Sequence, residues 1–359
     1  MENLFCLIMA GGSGTRFWPR SRVAKPKQYL NIVGDESLLQ STIKRFSSVT
    51  DPGNIYIVSS KSQAEVLEAQ TPELPAQNLI YEPVGKNTLP CIGLTAMFAE
   101  KEDSEGIMVV SPSDHLVEDN DLFRDTVMAA SRIADEKDGI VTIGITPSYA
   151  ATGYGYVKTA ENITASEKIN QYKVERFVEK PNRETAEKYL DQGGFFWNSG
   201  LFVFKVRVFL EAVEQFAPGL YKDLRKIQQD MGNPSFQQTL DSIYKAVESI
   251  SVDYGIMEHA KNIYLVEGNF GWNDLGSWES VYEVEEKDEN GNAVQGEVFF
   301  HDTRNSYVYA QNEMVALIGL DDVVVVRDGN ATLVCKRENA QDVKKIVERL
   351  KSQNRREFL

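Results

Sequence analysis

Leu4-Phe5-Cys6-Leu7-Ile8-Met9-Ala10-Gly11-Gly12-Ser13-Gly14-Thr15-Arg16 is the stretch whose reading decides the fold. Its unbroken apolar run predicts a strand, and the glycines that follow let the backbone approach an anion with several N–H groups turned inward. A polyphosphate suits such a loop, although a plain strand-to-helix connection has the same composition. The stretch lacks the Gly-Lys-Ser/Thr ending of a Walker loop, and Phe17 stands where a dinucleotide fingerprint needs its third glycine. Downstream come Pro19, Pro26 and Gln28, and the cations Arg16, Lys25 and Lys27 gather in one local region.

Working outward, further short apolar runs at 55–58, 107–110 and 140–144 alternate with helix-like stretches at 37–47, 88–101 and 121–135. That alternation reads as a parallel α/β sheet, whose ligands bind outside the carboxyl ends of the strands. The segments after the strands, 10–16, 59–61, 111–115 and 145–156, are therefore expected to carry the chemistry. The pattern turns helical over 205–260, and a charged stretch at 283–292 reads as a linker. A boundary near residue 288 gives a catalytic domain, 1–287, and a short domain, 288–359. In the latter, short strands at 298–300, 306–309, 314–318, 323–326 and 332–335 precede a helix near 339–352.

A length of 359 residues with 42% apolar content suits about two domains at roughly 150 residues each. The formal charge of −15 argues against nonspecific binding to nucleic acid or to acidic membranes, which depends on Lys and Arg. Cys6, Cys91 and Cys335 are far apart and suggest neither disulfides nor a thiolate zinc site. His115, His259 and His301 show no zinc-ligand spacing either. Glu2 replaces a basic leader, the following apolar run is too short for a signal core, and no 18-residue apolar stretch occurs. A cytoplasmic location is expected.

Eight blocks carry a resemblance: GGSGTRFWPRSR from Gly11, PKQ at 26–28, EPVGKNT at 82–88, PSDH at 112–115, FVEKP at 177–181, WNSG at 197–200, VDYGIME at 252–258 and GWNDLGSW at 271–278. In this order, over residues 5 to 278, they resemble mannose-1-phosphate guanylyltransferases. The resemblance implies an α/β fold: a Rossmann-like mixed sheet flanked by helices, nucleotidyltransferase and glycosyltransferase-A-like, with a small left-handed β-helix-like tail. It implies transfer of GMP from GTP to mannose 1-phosphate with Mg²⁺, and a homodimer as the candidate assembly. Longer relatives carry an isomerase domain beyond this length. The sequence departs from the family pattern at Lys86, where Arg is common, and at Leu89 and Cys91, where small residues are common.

By the resemblance, Arg16, Lys27, Asp114 and Lys180 are catalytic, and Asp114 and Asp274 hold the metal. Ala10, Gly11, Gly12, Gly14, Thr15, Glu82, Asn87, Thr88 and Ser113 bind nucleotide, and Gly153, Glu179, Lys180, Asn198 and Asp274 bind the sugar phosphate. The residues themselves leave alternatives open. Asp114 can cap a turn. Trp272 and Trp278 can be packing anchors around a turn-forming Asp274, Gly153 and Gly155 an ordinary hairpin turn, and Asn87 and Thr88 a helix cap. Glu82 offers two acceptors to the N1–H and amino group of guanine. Rival classes are the same chemistry on another nucleotide or sugar phosphate, a silent regulatory homologue, and a dinucleotide oxidoreductase disfavoured by the failed fingerprint.

Overall fold

The computed structural model describes residues 3–12, 14–164 and 169–359, so Ser13 of the glycine loop lies outside the described residues. The strands are β1 (Leu4–Met9), β2 (Ile55–Ser60), β3 (Leu79–Glu82), β4 (Ile107–Pro112), β5 (Leu116–Val117), β6 (Ile140–Ile145), β7 (Tyr156–Asn162), β8 (Gln171–Val178), β9 (Phe195–Lys205), β10 (Ile263–Glu267), β11 (Trp272–Asn273), β12 (Ala293–His301), β13 (Tyr307–Ile318), β14 (Val323–Asp328) and β15 (Ala331–Lys336). The helices are α1 (Leu38–Ser47), α2 (Ala64–Gln70), α3 (Thr88–Glu102), α4 (Asn120–Lys137), α5 (Arg183–Gln192), α6 (Val206–Phe216), α7 (Pro218–Gln229), α8 (Phe236–Ala246), α9 (Trp278–Val284) and α10 (Val343–Ser352).

Alternation of side chains along β1 builds both layers of the main domain. Leu4, Cys6 and Ile8 pack with α1, α2 and α4 on one face. Phe5 and Leu7 pack with α3, α6, α7 and α8 on the other. The main sheet runs β3-β2-β1-β4-β9-β6-β10-β8-β7. The chain leaves β1 toward β2 and β3, then crosses back to β4, all four running parallel. This makes the carboxyl ends of β1 and β4 a switch point, where the glycine loop and the turn at Asp114 meet.

The sheet is mixed, as the resemblance implies, and not all-parallel, as the early spacing predicts. β9 runs antiparallel between β4 and β6, and β8 antiparallel beside β10 and β7. The sequence of β9, Phe-Phe-Trp-Asn-Ser-Gly-Leu-Phe-Val-Phe-Lys, is buried along most of its length. A strand covered on both faces shows no polar alternation.

In the tail β12, β13 and β14 stack in parallel and β15 closes the sheet antiparallel. The segments at 306–309 and 314–318, expected as two strands, are joined in the single strand β13, which starts one residue later, at Tyr307. The tail shares its core with the catalytic part: Phe17, Trp18 and Leu30 cluster with Tyr307, Val324, Val343 and Val347. Trp278 stacks on Tyr307 with centroids 5.8 Å apart, and the Trp18 indole donates to the Phe358 carbonyl at 2.8 Å. Among the described residues no helix is long and apolar enough to cross a membrane.

Candidate active site

The loop after β1 is held from below. Gln28 donates its amide to the carbonyls of Ala10 and Gly12 at 2.7 and 3.1 Å, which fixes the loop's curvature without using its N–H groups. Gly14 sits at φ +56°, and a Cβ placed there would fall 2.3 Å from Cβ of Lys27. Only glycine fits such a backbone against such a neighbour. Gly14→Ala should therefore displace Lys27, lowering kcat/KM several-fold and stability by about 1–3 kcal/mol. Thermal melts and steady-state rates test this, and an unchanged enzyme would mean that the loop tolerates the displacement.

Lys27 is nearly buried and joins two distant parts of the chain: its ammonium lies 2.8 Å from Oδ2 of Asp114 and 2.8 Å from the backbone carbonyl of Asp274. A two-rung antiparallel ladder supports this convergence. β5, just after Asp114, pairs with β11, just before Asp274, through Trp272 with Val117 and Asn273 with Leu116. Burial works to raise the Asp114 pKa, but Lys27 and His115 outweigh it and hold the carboxyl below its usual range. Burial pushes the His115 imidazole below its ordinary value, against the pull of Asp114 and Asp274. The Trp272 indole donates to Nδ1 of His115 at 3.2 Å.

Two adjoining cavities share His115 and Asp274. The first, about 300 Å³, is bordered by Gly14, Thr15, Arg16, Lys27, Asp114 and Asp274, with Lys344 from α10 at its edge. Arg16 also donates to the Gly276 carbonyl at 3.3 Å. The second, about 200 Å³, is bordered by Thr88, Gly153, Tyr154, Gly155, Glu179, Lys180, Asn198, Asp253 and Asp274. The first cavity thus sets three cations beside two carboxylates, and the second sets one cation among carboxylates, a carboxamide and glycine backbone.

In the second cavity, Asn198 lies where the β6 and β9 register shifts, two residues before Gly200 at positive φ. Such a bulge re-aims a side chain toward a cleft. The Asn198 carboxamide is fixed from both ends: Thr142 donates to its oxygen at 3.0 Å, and its nitrogen donates to Asp253 at 3.0 Å. Burial and the neighbouring charge of Glu179 push Asp253 up to about 6, against the pull of Lys180 and Ser251. Lys180, at φ +45°, contacts Glu179. Partial burial lowers its pKa, but Glu179 and Asp253 carry it above the ordinary value. Gly155 lets the Glu179 carboxylate come close to the backbone, since a Cβ there would lie 2.5 Å from Oε2 of Glu179. Tyr154 donates its hydroxyl to Asp274 at 2.8 Å.

The remaining expected residues divide. Glu82 ends β3, is only 4% exposed and receives the Tyr244 hydroxyl on Oε1. A Cβ on Gly11 would sit 3.7 Å from its Oε2, so the free oxygen faces the glycine loop. Burial lifts this carboxyl to about 7, against the lowering effect of the Tyr244 hydrogen bond. Asn87 caps α3 through the Thr88 amide at 2.8 Å, and the Thr88 hydroxyl, beside the second cavity, accepts from the Val252 amide at 2.9 Å. Trp278 is fully buried, as a packing anchor would be. Ser113 is 2% exposed and borders neither cavity, and the segment 59–61 borders neither as well.

A model of the nucleotidyl transferase family matches residues 5–291, and one of the mannose-phosphate isomerase/GMP-like beta-helix domain matches residues 296–350. The mannose-1-phosphate guanylyltransferase of Escherichia coli strain K12 is 38% identical over 99% of this chain and 75% of its own length. The Klebsiella pneumoniae protein of the same name is also 38% identical, with the same coverage of 99% and 75%. The chain belongs to the mannose-1-phosphate guanylyltransferase family. A solved structure from Thermus thermophilus, described as a mannose-1-phosphate geranyltransferase, matches with a TM-score of 0.89 at 30% identity, covering 97% of this chain and 99% of that one.

Within this guanylyltransferase family, the departures at 86, 89 and 91 have structural explanations. The Lys86 ammonium donates to the Lys245 carbonyl at 2.8 Å, satisfying an orphan acceptor at the end of α8. Leu89 and Cys91 are buried, with Leu89 filling the space over Gly255. No motif in the sequence assigns a role to Asp253, Tyr154, Tyr244 or His115. Asp253 stood inside a family block, but its partner Asn198 lies too far along the chain for spacing to link them.

Proposed function

We propose that the chain transfers a guanylyl group from GTP to α-D-mannose 1-phosphate. A phosphate oxygen of the sugar attacks the α-phosphorus, the bond to the bridging oxygen breaks, and pyrophosphate leaves with the electron pair. The products are GDP-mannose and pyrophosphate, with no covalent enzyme intermediate. The observation that carries this reading is the pair of adjoining cavities, one cationic and one rich in hydroxyl partners, with Asp274 at their common wall.

In this reading Arg16 and Lys27 hold the leaving pyrophosphate and Lys180 orients the attacking phosphate. Glu179 and Asn198 bind mannose hydroxyls, and Asp253 keeps Asn198 oriented. Both substrates are polyanions, so catalysis consists mainly of alignment and charge compensation in a preorganised site. The donor set fits Mg²⁺. Asp114 and Asp274 are hard oxygen donors on one cavity. Phosphate oxygens and water would complete the shell, as this ion favours. Bound there, Mg²⁺ would supply charge to offset repulsion between the two phosphates.

Exchange of labelled pyrophosphate into GTP tests the absence of a covalent step. Exchange is expected only when GDP-mannose or mannose 1-phosphate is present, and exchange with GTP alone would reject direct transfer. Lys180→Ala is expected to raise the KM for mannose 1-phosphate about five- to tenfold while leaving that for GTP within twofold, since a partly exposed cation is screened. Equal loss for both substrates would move Lys180 to the nucleotide side.

A further inference from the structure

α10 packs along the short helical turn Thr15–Phe17, with Val343 and Val347, one turn apart, buried against Phe17 and Trp18. This seating brings Lys344 to the edge of the cationic cavity. The next residue along the helix, Lys345, pairs with Asp342 at 2.8 Å, and across the cavity Lys27 pairs with Asp114 at 2.8 Å. Among the described residues the Lys344 side chain, on α10, has no hydrogen bond or ion pair, in a chain with 53 acidic and 38 basic residues. The end of the chain is fastened to the same loop, because Trp18 and Arg22 both donate to the Phe358 carbonyl.

We propose that Lys344 is a phosphate-binding residue of the transfer reaction, contributed by the tail. Its ammonium joins Arg16 and Lys27 around the β- and γ-phosphoryl oxygens that leave as pyrophosphate. A lysine acts there as a flexible point charge, reaching oxygens that the glycine loop's N–H groups cannot cover. The tail then completes the site as well as sharing its core. The role in transfer rests on the guanylyl-transfer reading, whereas the binding of pyrophosphate stands apart from it.

Calorimetry with inorganic pyrophosphate and Mg²⁺ on the full chain tests the proposal. Lys344→Gln is expected to weaken pyrophosphate binding about tenfold and to raise the KM for GTP by a similar factor, leaving that for mannose 1-phosphate within twofold. Lys344→Arg should recover most of the affinity because it restores the charge. Lys345→Gln, which removes a charge one residue outside the cavity, should match the wild type. The proposal is overturned if Lys344→Gln binds pyrophosphate as the wild type does, or if Lys345→Gln loses as much. Failure of the wild type to release pyrophosphate from GTP and mannose 1-phosphate would instead overturn the transfer reading, and the calorimetric comparison would still decide the role of Lys344.

Discussion

Asp114→Asn and Asp274→Asn are each expected to lower turnover by at least about a hundredfold, equivalent to roughly 2.7 kcal/mol of transition-state stabilisation. Asparagine keeps the shape and removes the charge, so the loss reports the carboxylate itself. The two substitutions differ in an informative way. Asp114→Asn also deprives Lys27 of its counter-charge at 2.8 Å, leaving a nearly buried ammonium unpaired. Asp274→Asn spares the backbone carbonyl that holds Lys27, and its side chain can still accept from Tyr154. A loss in both variants, with a raised Mg²⁺ requirement, therefore identifies two metal carboxylates. Near-normal rates in both would exclude that role. A loss confined to Asp114→Asn would point to Lys27 as the group that matters.

Glu82→Gln is expected to erode the preference for GTP over UTP by roughly ten- to a hundredfold in kcat/KM, the value of a charge-assisted pair in a desolvated pocket. Oε1 already receives Tyr244, and Oε2 faces Gly11, so guanine has one unshared oxygen to read. A carboxyl lifted to about 7 accepts from guanine only after losing its proton. GTP affinity should therefore improve as pH rises through about 7 in the wild type and stay flat in Glu82→Gln. Stability runs the other way. A carboxyl whose folded pKa exceeds its unfolded value holds its proton more tightly in the native state. The wild type should therefore lose stability relative to Glu82→Gln as pH climbs from about 4.5 to about 7. An unchanged selectivity ratio in a well-folded variant would assign base reading to the loop backbone instead.

Which parts were legible in the sequence follows from how local their signals are. β1, β2, β4 and β6 announce themselves as short apolar runs followed by turn residues, and α1, α3 and α4 fall within two residues of their expected bounds. β9 hid because burial on both faces removes the alternation that marks a strand, and its antiparallel insertion turned an expected parallel sheet into a mixed one. The cationic cavity was legible in part: Arg16, Lys27 and Asp114 border it as their motifs suggest. Lys344 was not, because a lone lysine on an amphipathic helix carries no mark of what its helix packs against. Asp253 and Tyr244 are similar cases, each meaningful only through a partner brought near by the fold.

The most direct test of the account is pyrophosphate release with Mg²⁺ over a matrix of nucleoside triphosphates against sugar 1-phosphates. The account predicts that GTP with mannose 1-phosphate gives the highest kcat/KM, with stoichiometric GDP-mannose and no release when either substrate is withheld. Release fastest with another nucleotide or sugar phosphate, or none from any pair, would contradict it.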